Sequence, residues 1–459
     1  MRYPMAFVVS LITLTLAACS GSSPAGSSGR AADRFGASGE FVSLDGDGSM
    51  ALLITAPGAG DSLGAAQAHP RSGSGYDAAP RWSGQGDGVN DFFGYTSASL
   101  GDVDGDGVGD FAVGAINGSG DTALTGAVHV YRGGQREPAP LVRLVGVDPL
   151  DKFGSAIAGG DLNGDGRGDV IVAALYATGV AFQSGVVSVY FGGGTVSPEP
   201  SATITGVVGD AGVGSAVAVG DVNGDGADDL LVGAGHDVLV YFGGVSFASR
   251  MGASQVPDVR VMGAGSGGGK GGSGFGNAIA FLGDLDGDGY GDFAVANDRR
   301  SKAELYDNVG SVYLYRGGVD LPAEFTLEDP ARLIVKIVGE GAADRFGASL
   351  VSLADITGDG KGDLAVGAAW AAGGATGDVK GAGKVYLFAS ESLVASRGAV
   401  RNAATAERTF TAAGNGSEFG ASLAAHEGLL FVGAPFAEGR RGRGYLYDLR
   451  TGAATEFAR

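Results

Sequence analysis

Five ten-residue stretches place oxygen-bearing side chains at alternate positions of a glycine-rich run. GDVDGDGVGD (101–110) puts Asp102, Asp104, Asp106 and Asp110 at positions 1, 3, 5 and 9. GDLNGDGRGD (160–169) repeats the pattern with Asp161, Asn163, Asp165 and Asp169, and GDVNGDGADD (220–229) with Asp221, Asn223, Asp225 and Asp229. GDLDGDGYGD (283–292) supplies Asp284, Asp286, Asp288 and Asp292, and ADITGDGKGD (354–363) supplies Asp355, Thr357, Asp359 and Asp363. Hard oxygen donors spaced in this way suit Ca²⁺, which takes about six to eight oxygens. Mg²⁺ fits less well, because it demands stricter octahedral geometry and keeps its waters. Position 7 is occupied by Val108, Arg167, Ala227, Tyr290 and Lys361, whose side chains share nothing, so the expected ligand there is the backbone carbonyl. A glycine at position 6, Gly107 in the first loop, lets the chain turn with φ > 0. An EF-hand is excluded, since position 12 is Val113 and not Glu, and the flanking residues read as strands.

Charge sharpens the expectation. The formal net charge is −20, and the five loops hold seventeen aspartates at ligand positions. Five divalent ions would offset half of that excess, so that binding free energy becomes folding free energy. Extracellular Ca²⁺ modules bind at roughly 10⁻⁴ to 10⁻³ M, which implies structural, constitutively loaded sites. The Thr357 loop, where a hydroxyl replaces a carboxylate, is expected to be the weakest.

Strand-like segments must position these loops. Each loop follows an FG-like element (FFGYTSAS, KFGSAIAG, GVGSAVAV, GFGNAIAF, RFGASLVS) and precedes a short apolar run such as DFAVGA or DLLVGA. A further strand follows, as in GAVHVYRGG or GSVYLYRGG, and then another, as in LVRLVG (141–146). The apolar residues are β-branched or aromatic and bounded by glycine, which marks strands. Two more copies lack the full acidic core, RFGASGEFVSLDGDGSMALLITAP (34–57) and EFGASLAAHEGLLFVGAP (418–435). The phenylalanine or its equivalent falls at Phe35, Phe93, Phe153, Val213, Phe275, Phe346 and Phe419, giving seven copies. Seven four-stranded units predict an all-β, seven-bladed β-propeller over 33–459, since a parallel β-helix would need much shorter repeats. Copy 1 keeps Asp45 and Asp47 but has Ser43 and Ala51 at the outer ligand positions, and no metal is expected there or in copy 7. The third strand of copy 1 is hard to place within GAGDSLGAAQAHPRSGSGYDAAP.

FG, then DxDxDGxxD, then a VGAP-like run (VGAP itself at 432–435) resembles the FG-GAP repeat of the integrin α-subunit head and its bacterial relatives. The resemblance covers nearly everything from Asp33 onward. It implies Ca²⁺ in a loop joining two strands of a blade, and a role in adhesion or ligand recognition at the cell surface. It does not extend to the integrin legs or membrane helix, so an integrin-like heterodimer is not expected.

The first residues read as an export signal. Arg2 precedes the apolar AFVVSLITLTL, and LAAC, ending at Cys19, resembles the lipobox of bacterial lipoproteins. The expected organisation is a signal peptide over 1–18, lipidation of Cys19, and a flexible Gly/Ser tether over 19–32. Ser20 after the cysteine favours the outer membrane by the same resemblance. Cys19 is the single cysteine of the chain, which leaves no internal disulfide.

Glycine contributes 88 of 459 residues, arguing for tight turns and against a mostly helical protein. The acidic balance makes nucleic acid an unsuitable partner. The four histidines, His69, His129, His236 and His426, lie in unrelated contexts and suggest no nucleophile–base pair, so no enzyme is expected. An RGD tripeptide occurs at 167–169, but Asp169 is already engaged as a loop ligand. The remaining candidates for recognition are loops that differ between copies: GAGSGGGKGGSGFG (263–276), NDRRSKAELYDN (297–308), WAAGGATGDVKGAG (370–383) and EGRRGRG (438–444). The expected partner is an unidentified protein or glycan at the cell surface, with the membrane reached through Cys19. A lectin-like propeller and a non-catalytic envelope scaffold remain the alternative roles.

Overall fold

A computed structural model describes residues 33–73, 75–118, 124–180, 182–206, 212–263, 274–298, 309–341, 343–371, 381–412 and 416–459. The export signal, Cys19 and the tether lie outside the described residues, as does most of the 263–276, 297–308 and 370–383 excursions.

The chain forms a seven-bladed β-propeller. Seven sheets follow one another, each built on four antiparallel strands from one contiguous stretch of chain. Blade 2 is representative: Phe93–Gly101, Asp110–Ala115, Ala127–Tyr131 and Pro140–Val145 pair in order from the inside outward. The second strands (DFAVGA, DVIVAA, DFAVAN, DLAVGA, LLFVGA) are buried along their whole length. They are apolar without alternation because a blade has a neighbour on both faces. Apolar layers fill every interface: Val42 and Leu53 meet Phe111 and Val113 between blades 1 and 2, and Phe35 and Ile54 meet Ala424 and Phe431 between blades 1 and 7. The last of these closes the ring.

The two glycine signatures meet across these interfaces. A Cβ on Gly367 of DLAVGA would run into the carbonyl oxygen of Gly420, the FG glycine of the next blade. That same oxygen accepts a hydrogen bond from Ser349 Oγ at 2.7 Å. The contact recurs where the ring closes, between Gly433 and Gly36, with Ser422 Oγ donating to Gly36 O at 2.9 Å. FG and GAP are thus two halves of one backbone-to-backbone contact.

Copy 1 does form a complete blade, with its third strand at Ala65–His69 and its fourth at Trp82–Gln85. Blades 4 and 5 each gain a fifth, parallel edge strand. Glu324–Thr326 pairs with Val259–Met262, and Val400–Asn402 pairs with Leu333–Val338. Each added strand comes from the following repeat and ties it to its predecessor. Among the described residues, no helix is long and apolar enough to cross a membrane.

Candidate metal centre

The five acidic stretches all join the first and second strands of blades 2 to 6, so they emerge on one face of the disc. Their internal bonding repeats. At position 1, Asp102 accepts from Gly105 N at 2.7 Å with one oxygen and from Gly107 N at 2.8 Å with the other. Asp221 does the same with Gly224 and Gly226, Asp284 with Gly287 and Gly289, and Asp355 with Gly358 and Gly360. Asp161 takes Asp165 N and Gly166 N instead. The glycines at positions 4 and 6 have φ between +74° and +94°, a region L side chains rarely adopt. At position 5, Asp106, Asp165, Asp225, Asp288 and Asp359 each accept from the position-7 amide of Val108, Arg167, Ala227, Tyr290 and Lys361, at 2.9–3.1 Å.

Position 9 is the deepest. Asp110, Asp169, Asp229, Asp292 and Asp363 are buried, and each carboxylate bridges two segments. One oxygen accepts from the position-2 amide of its own loop, as Val222 N donates to Asp229 at 2.9 Å. The other accepts from the second residue after the third strand: Gly133, Gly192, Gly243, Gly317 or Ser390, at 2.8–3.1 Å. This accounts for the GG that ends VYRGG and VYFGG. A Cβ on Gly133 would strike the Gly109 carbonyl. Burial pushes Asp110 up to about 6 and Asp169, Asp229 and Asp292 up to about 7, although the amides pull the other way. Asp355 at the exposed position 1 is instead held low by the amides of Gly360 and Gly358. Each loop therefore combines a more accessible, amide-held carboxylate with a buried one that a nearby cation would ionise.

The donor set fits a hard cation. Oxygens of Asp102, Asp104 and Asp110 lie within 4.8 Å of one another, and so do those of Asp284, Asp286 and Asp292. Among the described residues these are the groups of three carboxylates that converge. In blades 3 and 4 the position-3 amides, Asn163 and Asn223, donate through Nδ2 to Asp165 and Asp225 at 3.1 and 3.0 Å. In blade 6, Thr357 Oγ1 turns to Asp355 at 3.4 Å.

Other residues of the face escaped the sequence reading. Arg132 pairs with Asp104, and Arg316 pairs with Asp286 at 2.7 Å and Asp288 at 3.2 Å. Asp228, at position 8, accepts from Asp161 N at 2.8 Å and so clips loop 4 to loop 3. Position-7 side chains lean on the preceding loop: Arg167 stands where a Cβ on Gly105 would go, Tyr290 against Gly224, and Lys361 against Gly287. Arg167 is thereby turned onto blade 2 and Asp169 is buried, so RGD is not displayed as a tripeptide. In blade 1, Asp45 pairs with Arg81 and Asp47 accepts from Ser49, while Ser43 and Ala51 stand at positions 1 and 9 where the other loops have aspartate. Blade 7 makes a tight turn through Glu427 and Gly428, both at positive φ. His129 packs edge-on against Phe93 within its strand, a core role.

The FG-GAP-like repeat matches residues 161–232, and the FG-GAP repeat matches 275–315 and 346–388. The chain carries FG-GAP repeats. Integrin alpha-4 of Xenopus laevis is 35% identical over 156 residues, covering 34% of this chain and 14% of the integrin. Integrin alpha-V of Gallus gallus is 34% identical over 228 residues, covering 47% of this chain and 20% of its own. The chain thus spans a minor part of the length of these relatives. Among solved structures, the rhamnogalacturonan lyase YesW aligns over 81% of this chain and 58% of its own, at 15% identity and a TM-score of 0.41.

Proposed function

We propose that this FG-GAP propeller is a Ca²⁺-stabilised recognition module that binds a protein ligand at a cell surface, with no catalytic role. The loops of blades 2 to 6 hold the ions through positions 1, 3, 5 and 9 and the position-7 carbonyl. What Ca²⁺ supplies there is charge: it lets the position-9 carboxylates ionise and clamps the turn between two strands.

The ligand surface is the opposite face, and one observation carries that reading. Connections from second to third strands, and from fourth strands to the next blade, emerge on the side away from the acidic loops. There Val89, Leu124, Val147, Leu150, Tyr176, Val180 and Phe182 are exposed, four of them by more than two-thirds. Backbone bonds knit their loops together: Asn117 N to Asp91 O at 3.2 Å, Leu150 N to Leu124 O at 2.8 Å, and Tyr176 N to Asp151 O at 3.0 Å. Among the described residues, apolar exposure on this face gathers over blades 1 to 3, and on a rigid scaffold that is the kind of patch that marks a protein interface. The relatives' name, integrin, favours adhesion among such roles.

The test is capture from cell-envelope and culture fractions by the wild-type protein and by a Val180→Asp/Phe182→Asp variant. Capture by the wild type in Ca²⁺, lost in the variant at unchanged melting temperature, supports the reading. Equal capture by both overturns it, and saturable binding on a glycan array makes the propeller a lectin instead. Attachment through a lipidated Cys19 and the 19–32 tether belongs to the same proposal. A Cys19→Ser variant should be released from membranes, and its retention there would refute the anchor.

A further inference from the structure

Among the five full acidic loops, the two with aspartate at position 3 differ from the other three at a second place, the residue directly after the third strand. Asp104 and Asp286 are matched by Arg132 and Arg316. Asn163 and Asn223 are matched by Phe191 and Phe242, and Thr357 by Ala389. The structure gives the reason. Both arginines leave the third strand toward the loop and pair with the position-3 carboxylate of their own blade. Those carboxylates are buried, with side-chain exposures of 2% and 3%. A buried carboxylate needs a counter-charge, and in a low-dielectric setting the pair is poorly screened. Arg316 also reaches Asp288, and Arg397 lies 3.4 Å from Asp286.

We propose that Arg132 and Arg316 are built-in competitors of the cation. Each neutralises the extra aspartate of its loop, so the four-aspartate loops of blades 2 and 5 hold Ca²⁺ no more tightly than the three-aspartate loops. This rests on the Ca²⁺ reading above and adds to it a residue outside the loops that sets their affinity. Ligand charge count tunes such sites over decades of affinity. Counting positions 1, 3, 5 and 9 together with these two arginines, each of the five ligand sets carries three net negative charges.

The test is hydrogen exchange of the full protein, followed by mass spectrometry over a Ca²⁺ titration, which reads a midpoint for each loop peptide. Arg132→Phe, which installs the residue of blades 3 and 4, should lower the loop 2 midpoint by about tenfold. Loops 3, 4 and 6 should keep theirs. Adding Asp104→Asn to that variant should return loop 2 to the midpoint of loops 3 and 4. Arg316→Phe is the independent second case for loop 5 should Arg132→Phe fail to fold. An unchanged or raised midpoint in either folded variant overturns the proposal, because the arginine would then support the ligand and not compete for it. Absence of Ca²⁺-dependent protection in loops 3, 4 and 6, which have no such arginine, would instead remove the Ca²⁺ reading, and this proposal with it.

Discussion

Aspartates that look interchangeable in the sequence do different work in the fold. Asp229 accepts from Val222, Asn223 and Gly243, whereas Asp225, four residues earlier, accepts from Ala227 N and Asn223 Nδ2 at the solvent edge. Asp229→Ala orphans three backbone amides and should cost about 3 kcal/mol or more, even in chelator. Asp225→Ala should lower stability mainly when Ca²⁺ is present, and denaturant titrations with and without Ca²⁺ separate the two. Glu40 is a different kind of exception. It stands in the inner strand of blade 1 at the place held by Ala98, Ala158 and Ala218 in blades 2, 3 and 4. It is fully buried, with Phe41 N donating to one carboxylate oxygen, and burial pushes it up to about 8. The folded protein therefore holds a proton that the unfolded chain releases near pH 4.5. Its contribution to stability is complete below that value and is lost as pH rises to about 8, at up to about 1.4 kcal/mol per pH unit. Glu40→Gln should flatten the fall in melting temperature between pH 5 and 8 (a range set by that shift). An equal slope in both proteins would assign the fall to other groups.

At the scale of elements, the acidic loops are hairpin connections whose strands are apolar on both faces, and the glycines are contacts as much as turns. Gly367→Ala pushes a methyl into the Gly420 carbonyl and the Ser349 hydroxyl, and should destabilise by about 1–3 kcal/mol. Blade 3 already carries Ala173 at the equivalent place, against which a Cβ on Gly214 would press, so the tolerance is blade-specific. Thermal melting of Gly367→Ala beside Gly48→Ala, whose Cβ would meet nothing nearby, isolates packing from backbone strain. The periodic pattern made strands, loops and repeat number legible. It hid the third strand of blade 1, because AAQAH is short, carries Gln67 and His69, and is followed by the Arg71–Ser72 and Gly75–Tyr76 hairpin. It also hid the parallel edge strands of blades 4 and 5, whose pairing is decided by the neighbouring repeat.

Across the whole molecule the loops form a series and not five isolated sites. Gly168 N donates to Asp102 O, Asp228 N to Asp161 O, and Gly193, Gly244 and Gly318 N to Val103, Leu162 and Val222 O, so blades 3, 4 and 5 are each bonded to the preceding loop. Closure between blades 7 and 1 combines packing with backbone bonds from Arg34 N to Arg440 O at 3.1 Å and Phe35 N to Arg441 O at 2.9 Å, and among the described residues no sheet mixes strands from the two chain ends. The ring must then be held at every interface, and under the proposed function ions would hold five of its seven corners. At tenfold excess over Kd each site contributes about 1.4 kcal/mol. Chelation should therefore lower the melting temperature by on the order of 10 °C. Calorimetry with excess chelator and after Ca²⁺ is restored checks this, and an unchanged transition would leave the loops without a structural ion.

The amino-acid sequence by itself determined the strands, the seven copies and the candidate ligands at positions 1, 3, 5 and 9, because hydrophobic period and ligand spacing are local properties of the chain. It could not show that position 9 anchors the end of the third strand, that Arg132 and Arg316 reach into the two richest loops, or that apolar side chains gather over blades 1 to 3. Those facts depend on which segments the closed ring sets side by side. Only packing across blade interfaces decides that.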